Sequence, residues 1–218
     1  MGKSEEVYAS LVRMIEKGEL EAGGLVSESG LMERTGFGRT PVREAVQRLA
    51  RDHMVRIHPS KGIEIPAISV EDQLKRLEVR RVMEVLAVTL ACERSTSKEA
   101  EVMSALAATL DGHHALDEYS ETVRRTHELI TASARNDYLA EAMAPLQGLS
   151  RRFWLTHVLD EQHEIAVGSV HHRHILEAIS ARDISKARES SIALNDYLVE
   201  FALSVINSRA PRQAARTI

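Results

Sequence analysis

Residues 31–49 read LMERTGFGRTPVREAVQRL, two apolar-periodic segments on either side of the turn Gly36-Phe37-Gly38. Apolar residues at helical spacing, interrupted by glycines, predict two helices joined by a turn. The second opens on hydrogen-bond donors, Arg39 and Thr40 with Arg43 one turn on, and becomes aliphatic toward Leu49. Such a helix has a wet tip and a buried body. That is the design of a recognition helix in a helix-turn-helix, whose first residues reach base edges and phosphates in the major groove. The plainer alternative is a surface helix hairpin with solvated arginines, and spacing by itself does not separate the two.

Working outward, the chain continues ARDHMVRIHPSKGIEIPAI over residues 50–68. Val55, Ile57, Ile63 and Ile65 alternate with Arg56, His58 and Glu64 on both sides of Pro59-Ser60-Lys61-Gly62. Period-two alternation around a polar tip predicts a short β-hairpin. A hairpin directly after a helix-turn-helix is a wing. Lys61 and Gly62 at its tip bring a positive charge and a close-approaching backbone to a phosphate or the minor groove. An isolated hairpin is only marginally stable, so this one must pack on the helices before it.

These residues carry a family resemblance. Residues 5–66 resemble the winged helix of the GntR family of bacterial transcription regulators, through GRTPVREAVQRL at 38–49 and HPSKGIEI at 58–65. The resemblance implies double-stranded operator DNA as partner, with Arg39, Thr40, Arg43, Lys61 and Gly62 as its contacts. One position departs from the family. A Ser or Thr usually precedes the first arginine, where it caps the recognition helix and binds phosphate, and here Gly38 stands instead. A glycine cap costs only about a few tenths of a kcal/mol, but one hydroxyl contact to DNA is lost with it.

Charge is distributed to match. The net charge is −4, which excludes a general polycation. Between Gly30 and Gly62, however, Arg34, Arg39, Arg43, Arg48, Arg51, Arg56 and Lys61 face only Glu33, Glu44 and Asp52. A basic island on an acidic chain is a local DNA footprint. Hydrophobic residues make up 44% and aromatic ones only 4%, so the core is aliphatic and helical in character. The single Cys92 excludes an internal disulfide and fits a reducing cytoplasm. Its apolar setting, VLAVTLAC, reads as a buried structural thiol. The start, MGKSEEVYASL, has no apolar signal region, and no stretch reaches membrane-spanning length. The expected place is therefore the cytoplasm, away from membranes.

Pro66-Ala67-Ile68-Ser69 divides the chain into a winged helix-turn-helix, residues 1–66, and a second part, residues 67–218. Ser69 reads as the N-cap of a helix reaching about Cys92, and Ser97 as the cap of one ending at Leu110. Further helical patterns run over 117–134, 136–159, 163–181 and 183–207. The expected fold is mainly α: a winged helix with a small β-hairpin wing, then an all-α bundle of about six helices. LKRLEVRRVMEVLAVTLA (74–91), THELITASARNDYL (126–139) and HRHILEAISARDISKA (172–187) make this part similar to the ligand-sensing FCD domain of the FadR subfamily. The resemblance implies a homodimer and a small effector, a carboxylate above all, held inside the bundle and altering DNA binding.

Arg80 lies in the segment that resembles the family's pocket-lining helix. It reads either as a clamp for an effector carboxylate or as a salt-bridge partner for Glu84 four residues on. Trp154, beside Arg151 and Arg152, is a second effector-binding candidate, against a core or interface role for the sole Trp. Metal-holding members of the family use an Asp, a His four residues later and two further His on the last two helices. By motif alignment His127 and His172 match two of these positions, while Val123 takes the Asp position and Leu194, with Asn195 beside it, the last. Two readings follow: an incomplete zinc or nickel site on His127 and His172, or a metal-free pocket in which Arg80, His127 and His172, with Asn195 nearby, take the acid directly. The second is preferred, so no cofactor is assigned.

Three functional classes compete. A metabolite-responsive DNA-binding regulator accounts for both parts of the chain. A metal-dependent enzyme, or a metal-sensing helical protein, would use the pocket histidines, but no HExxH, paired-carboxylate or nucleophile motif supports catalysis. A helical scaffold with merely solvated arginines leaves the wing unexplained.

Overall fold

The computed structural model describes residues 2–112 and 114–214. They form α1 (Lys3–Glu16), β1 (Leu25–Val26), α2 (Glu28–Thr35), α3 (Arg39–Arg51), β2 (Arg56–His58), β3 (Gly62–Glu64), α4 (Val70–Arg94), α5 (Ser97–Thr109), α6 (Leu116–Ser133), α7 (Asp137–His157), α8 (Glu161–Ser180) and α9 (Ile184–Ala214). The chain divides into two compact units, one running to Ser69 and including Gly148–Thr156, the other comprising Val70–Gln147 and the chain from His157 on.

In the first unit, Val7, Leu11 and Ile15 recur at i, i+4 and i+8 along α1 and are fully buried. They pack with Leu31, Val42, Val46, Leu49, Met54, Ile63 and Ile65 into one core, which Leu149 of α7 completes. Each large aliphatic side chain so buried contributes about 1.5–3 kcal/mol. Ser27 caps α2, its hydroxyl accepting from the N–H of Gly30 at 3.1 Å. Gly36 ends it in the left-handed region, φ 74°, its N–H donating to the Met32 carbonyl, a conformation glycine adopts without cost. Gly38 stands at the N-cap of α3, where its carbonyl accepts from the Val42 N–H but no side chain caps the first N–H groups.

The wing is the expected hairpin with a third strand added. β2 and β3 pair antiparallel, Arg56 opposite Glu64, Ile57 opposite Ile63 and His58 opposite Gly62. β1 pairs with the other edge of β3, giving the order β1-β3-β2. Gly62 is required here on two counts. Its φ is +117°, and a Cβ at this position would lie 2.9 Å from the Val26 carbonyl oxygen. The close approach that demands a glycine is therefore to β1, inside the sheet.

The described residues of the second unit form helices joined by short turns, with no strand among them, and α4 packs along α9 and α8, and α6 against α4 and α8. α4 begins directly after Ser69. The cap of α5 differs from the sequence expectation. Thr96, not Ser97, is the N-cap: its hydroxyl accepts from the N–H of Glu99, and the Glu99 carboxylate accepts from the N–H of Thr96 at 2.8 Å. Thr96 holds the extended backbone (φ −73°, ψ 162°) that a capping residue needs. Cys92 is buried, and burial pushes its thiol up to about 11, as suits an inert structural cysteine. No described helix is long and apolar enough to cross a membrane.

Candidate functional site

The tip of α3 is exposed and its body is buried. Arg39, Thr40 and Arg43 face solvent while Val42, Ala45, Val46 and Leu49 fill the core. Leu49 and Val46 hold the helix in place, so the donors are presented by a rigid element. Beside α3, a concavity of about 600 Å³ is lined by Glu28, Arg43, Glu44, Gln47, Arg51 and Ile57. It brings the exposed side of α3 and the first wing strand together. Lys61 is exposed at the wing tip. Behind it, the His58 ring nitrogen lies 2.6 Å from a Glu64 carboxylate oxygen.

The basic island is not uniform. Arg48 is tied inward: it donates to Glu5 at 2.6 Å, and its guanidinium carbon lies 3.9 Å from the centre of the Tyr8 ring. The Tyr8 hydroxyl in turn donates to Asp52 at 2.6 Å, and burial together with that carboxylate pushes the phenol well above its ordinary value. Arg48 thus joins α1 to α3 and is distinct from the arginines of the tip. Arg43 carries a different bond, its Nε donating to both carboxylate oxygens of Glu28 at 2.9 Å.

In the helical unit the structure brings His127 and His172 together. Both are buried, with ring centres 5.6 Å apart. His172 Nδ1 lies 2.7 Å from the Gly168 carbonyl. A carbonyl only accepts, so Nδ1 carries the proton and Nε2 is the basic nitrogen of the neutral ring. The Tyr119 hydroxyl lies 3.4 Å from the same Nδ1, and burial pushes that phenol well above its ordinary value. Neither Tyr119 nor Gly168 was among the expected site residues.

Arg80 is buried at 3% side-chain exposure and makes the ion pair with Glu84, itself 12% exposed. Nε and Nη2 both reach one carboxylate oxygen, at 3.3 and 2.9 Å, and the Gln147 amide donates to that oxygen at 3.0 Å. Asn195 joins helices: its amide donates to the Leu77 carbonyl at 3.1 Å and its oxygen accepts from Arg81 at 3.4 Å. Trp154 is buried in the Gly148–Thr156 segment, which belongs to the first unit, whereas His127 and His172 belong to the second. Arg151, in the same segment, forks onto Glu16 at 2.7 and 3.1 Å.

Residues 3–65 match the family profile described as bacterial regulatory proteins, gntR family, and residues 75–196 match the FCD domain. The chain belongs to the GntR family of bacterial regulatory proteins. It is 26% identical over 198 residues to the HTH-type transcriptional repressor GlaR of Escherichia coli, covering 84% of this chain and 87% of GlaR. To the HTH-type regulator YdhC of Bacillus subtilis it is 23% identical over 192 residues, covering 86% and 85%. The solved structure of E. coli McbR/YncC shares the fold with a TM-score of 0.71 at 18% identity, covering 94% of this chain and 98% of that one. This GntR-family chain is a bacterial transcriptional regulator with an FCD domain.

The metal set implied by the family resemblance does not fit these residues. His127 and His172 are in place, but Val123 and Leu194 are buried aliphatic side chains with no donor atom. Asn195, beside Leu194 in the sequence, already uses its amide on Leu77 and its oxygen on Arg81. Two imidazoles fall short of the three or four protein ligands that tight zinc binding uses.

Proposed function

We propose that this regulator acts as a cytoplasmic homodimer on a palindromic operator, one winged helix per half-site, with Arg39, Thr40 and Arg43 in the major groove and Lys61 and Gly62 at the backbone or minor groove. The observation that carries the reading is the α3 tip, three exposed donor residues on a helix whose body is locked in the core. Direct base readout needs donors on a rigid element, and Arg forks onto guanine. Pairing of two copies is supported by α4, where Val79, Val82 and Leu86 form an apolar stripe at i, i+3 and i+7 that is 49%, 72% and 45% exposed. A stripe of that kind on a solvated helix marks an interaction face. Repression is inferred from the likeness to GlaR, and no catalytic role is assigned.

The second element of the reading is an organic acid as effector in the helical unit. Its support is chemical: one buried guanidinium, Arg80, and a buried imidazole pair, His127 and His172, on the mutually packed helices α4, α6 and α8. The acid takes Arg80 in competition with Glu84, and an imidazole whose Nδ1 is already committed, as in His172, donates to the anion through Nε2 on taking up a proton, with no metal required.

Selection of bound duplexes from a random pool tests the DNA reading. The expected product is an inverted repeat bound by two chains; recovery of no common sequence would overturn it. A carboxylate found by thermal shift must then change operator affinity by the same factor by which operator changes carboxylate affinity. If the Arg80→Met/Glu84→Leu variant bound that acid as well as the parent, the arginine clamp would be wrong.

A further inference from the structure

Among the cations at the α3 tip stands an acid on the neighbouring helix that the DNA reading does not use. Glu28 is the first residue of α2, fifteen residues before Arg43, and accepts from Arg43 Nε through both oxygens at 2.9 Å. The pair spans the turn between two helices, and both anchors are fixed. Ser27 caps α2 just ahead of Glu28, and Val42 beside Arg43 is fully buried. Arg43 is 58% and Glu28 39% exposed, so the ion pair adds little to folding. A carboxylate placed on a surface that meets a polyanion also weakens every phosphate contact nearby. Its presence there calls for a use other than stability or general affinity.

The bond's geometry supplies one. A guanidinium has five N–H donors. Glu28 takes the one on Nε, through both of its oxygens, and that bond leaves the N–H groups of the two terminal nitrogens aside. Those terminal nitrogens are the fork that matches O6 and N7 of guanine. We infer that Glu28 is a positioning residue for base readout: it holds Arg43 by Nε, so that the fork is presented to a base edge instead of folding onto the nearest phosphate. Long, rotamer-rich Arg43 is thereby ordered before DNA arrives, and the acid penalises the non-specific alternative. This inference rests on the reading that Arg43 reaches bases.

The test compares the parent, Glu28→Gln, Arg43→Ala and the double variant by fluorescence anisotropy on the selected operator, on operators substituted at each base pair, and on a random duplex. Circular-dichroism melts check that each variant is folded. Glu28→Gln is expected to tighten the random duplex about two- to threefold, and to cut discrimination at the one base pair read by Arg43 by about five- to tenfold, leaving the other positions as they were. In the Arg43→Ala background, the same change should leave discrimination at that base pair untouched, because Glu28 acts through the arginine. If Glu28→Gln tightened operator and random duplex equally with discrimination intact, the acid would be a source of repulsion only and the inference would be overturned. If Arg43→Ala itself left discrimination at every position intact, the base-reading role would fall instead.

Discussion

Gly168 on α8 stands so close to Tyr119 on α6 that a Cβ on the glycine would lie 2.0 Å from the tyrosine hydroxyl and 3.1 Å from the ring carbon that bears it. The same hydroxyl lies 3.4 Å from His172 Nδ1, which donates to the Gly168 carbonyl. A glycine inside a helix costs about 0.5–1 kcal/mol relative to alanine, so removing it should help unless the space is needed. Here the space is needed.

Gly168→Ala is therefore expected to destabilise the helical unit by about 1–3 kcal/mol, as an overpacked core does, despite the gain in helix propensity. Tyr119→Phe in the same chain removes the oxygen that clashes and should recover part of the loss. Urea unfolding of the parent and the two variants measures this. A stabilised Gly168→Ala protein would show that Tyr119 moves aside freely.

Glu84→Leu should be costly in a different way. It leaves the Arg80 guanidinium, at 3% exposure, without its anion. Breaking one partner of a buried pair costs about 3–5 kcal/mol, whereas replacing both partners by apolar groups is far milder. Arg80→Met/Glu84→Leu is therefore expected to be more stable than Glu84→Leu alone, as read by the urea midpoint. An equal or larger loss in the double variant would contradict the pairing.

The α5 cap predicts a pH dependence. The Thr96 N–H, bonded to the Glu99 carboxylate, holds that carboxyl below its ordinary value, with the Thr96 hydroxyl and Arg135 acting in the same sense. A carboxyl depressed in the folded state contributes stability that is present above its unfolded pKa, about 4.3, and is lost as pH falls through the folded value. The melting-temperature gap between the parent and Glu99→Gln should thus be widest near neutral pH and close as pH drops below about 4. A gap independent of pH would show that the carboxylate does not cap the helix. Thr96→Ala should cost about 1 kcal/mol at neutral pH.

The metal reading can be tested by gain. With His127 and His172 as the donors, the parent should lose added zinc or nickel on dialysis against a mild chelator. Val123→Asp together with Leu194→His supplies an oxygen and a third imidazole, and this variant should keep one zinc per chain through the same dialysis. Stoichiometric zinc retained by the parent, and lost in His127→Ala, would show that other residues complete a site.

What could be read from the sequence follows the range of the interactions involved. The α3 tip is legible because donors at 39, 40 and 43 and aliphatics at 42, 45, 46 and 49 obey one helical period, and the wing because its alternation is local. β1 is two residues long and carries no period of its own; it exists because β3 offers it an edge. Thr96 and Ser97 are adjacent hydroxyl residues, and only backbone conformation decides which one caps. Arg48 counted toward a DNA footprint until packing on Tyr8 and Glu5 gave it a structural role. Tyr119 and Gly168 meet through the packing of α6 on α8, and neither residue type announces the other.

The most direct test of the account is anisotropy of Arg43→Ala and Lys61→Ala on the selected operator and on a random duplex, across a salt series. Arg43→Ala should weaken operator binding by about 1–3 kcal/mol while affecting the random duplex far less, as expected for an arginine that reads a base. Lys61→Ala should weaken both duplexes similarly and flatten the salt dependence by about one phosphate contact. Unchanged operator affinity for Arg43→Ala at physiological salt would contradict the assignment of the α3 tip as the operator-reading surface.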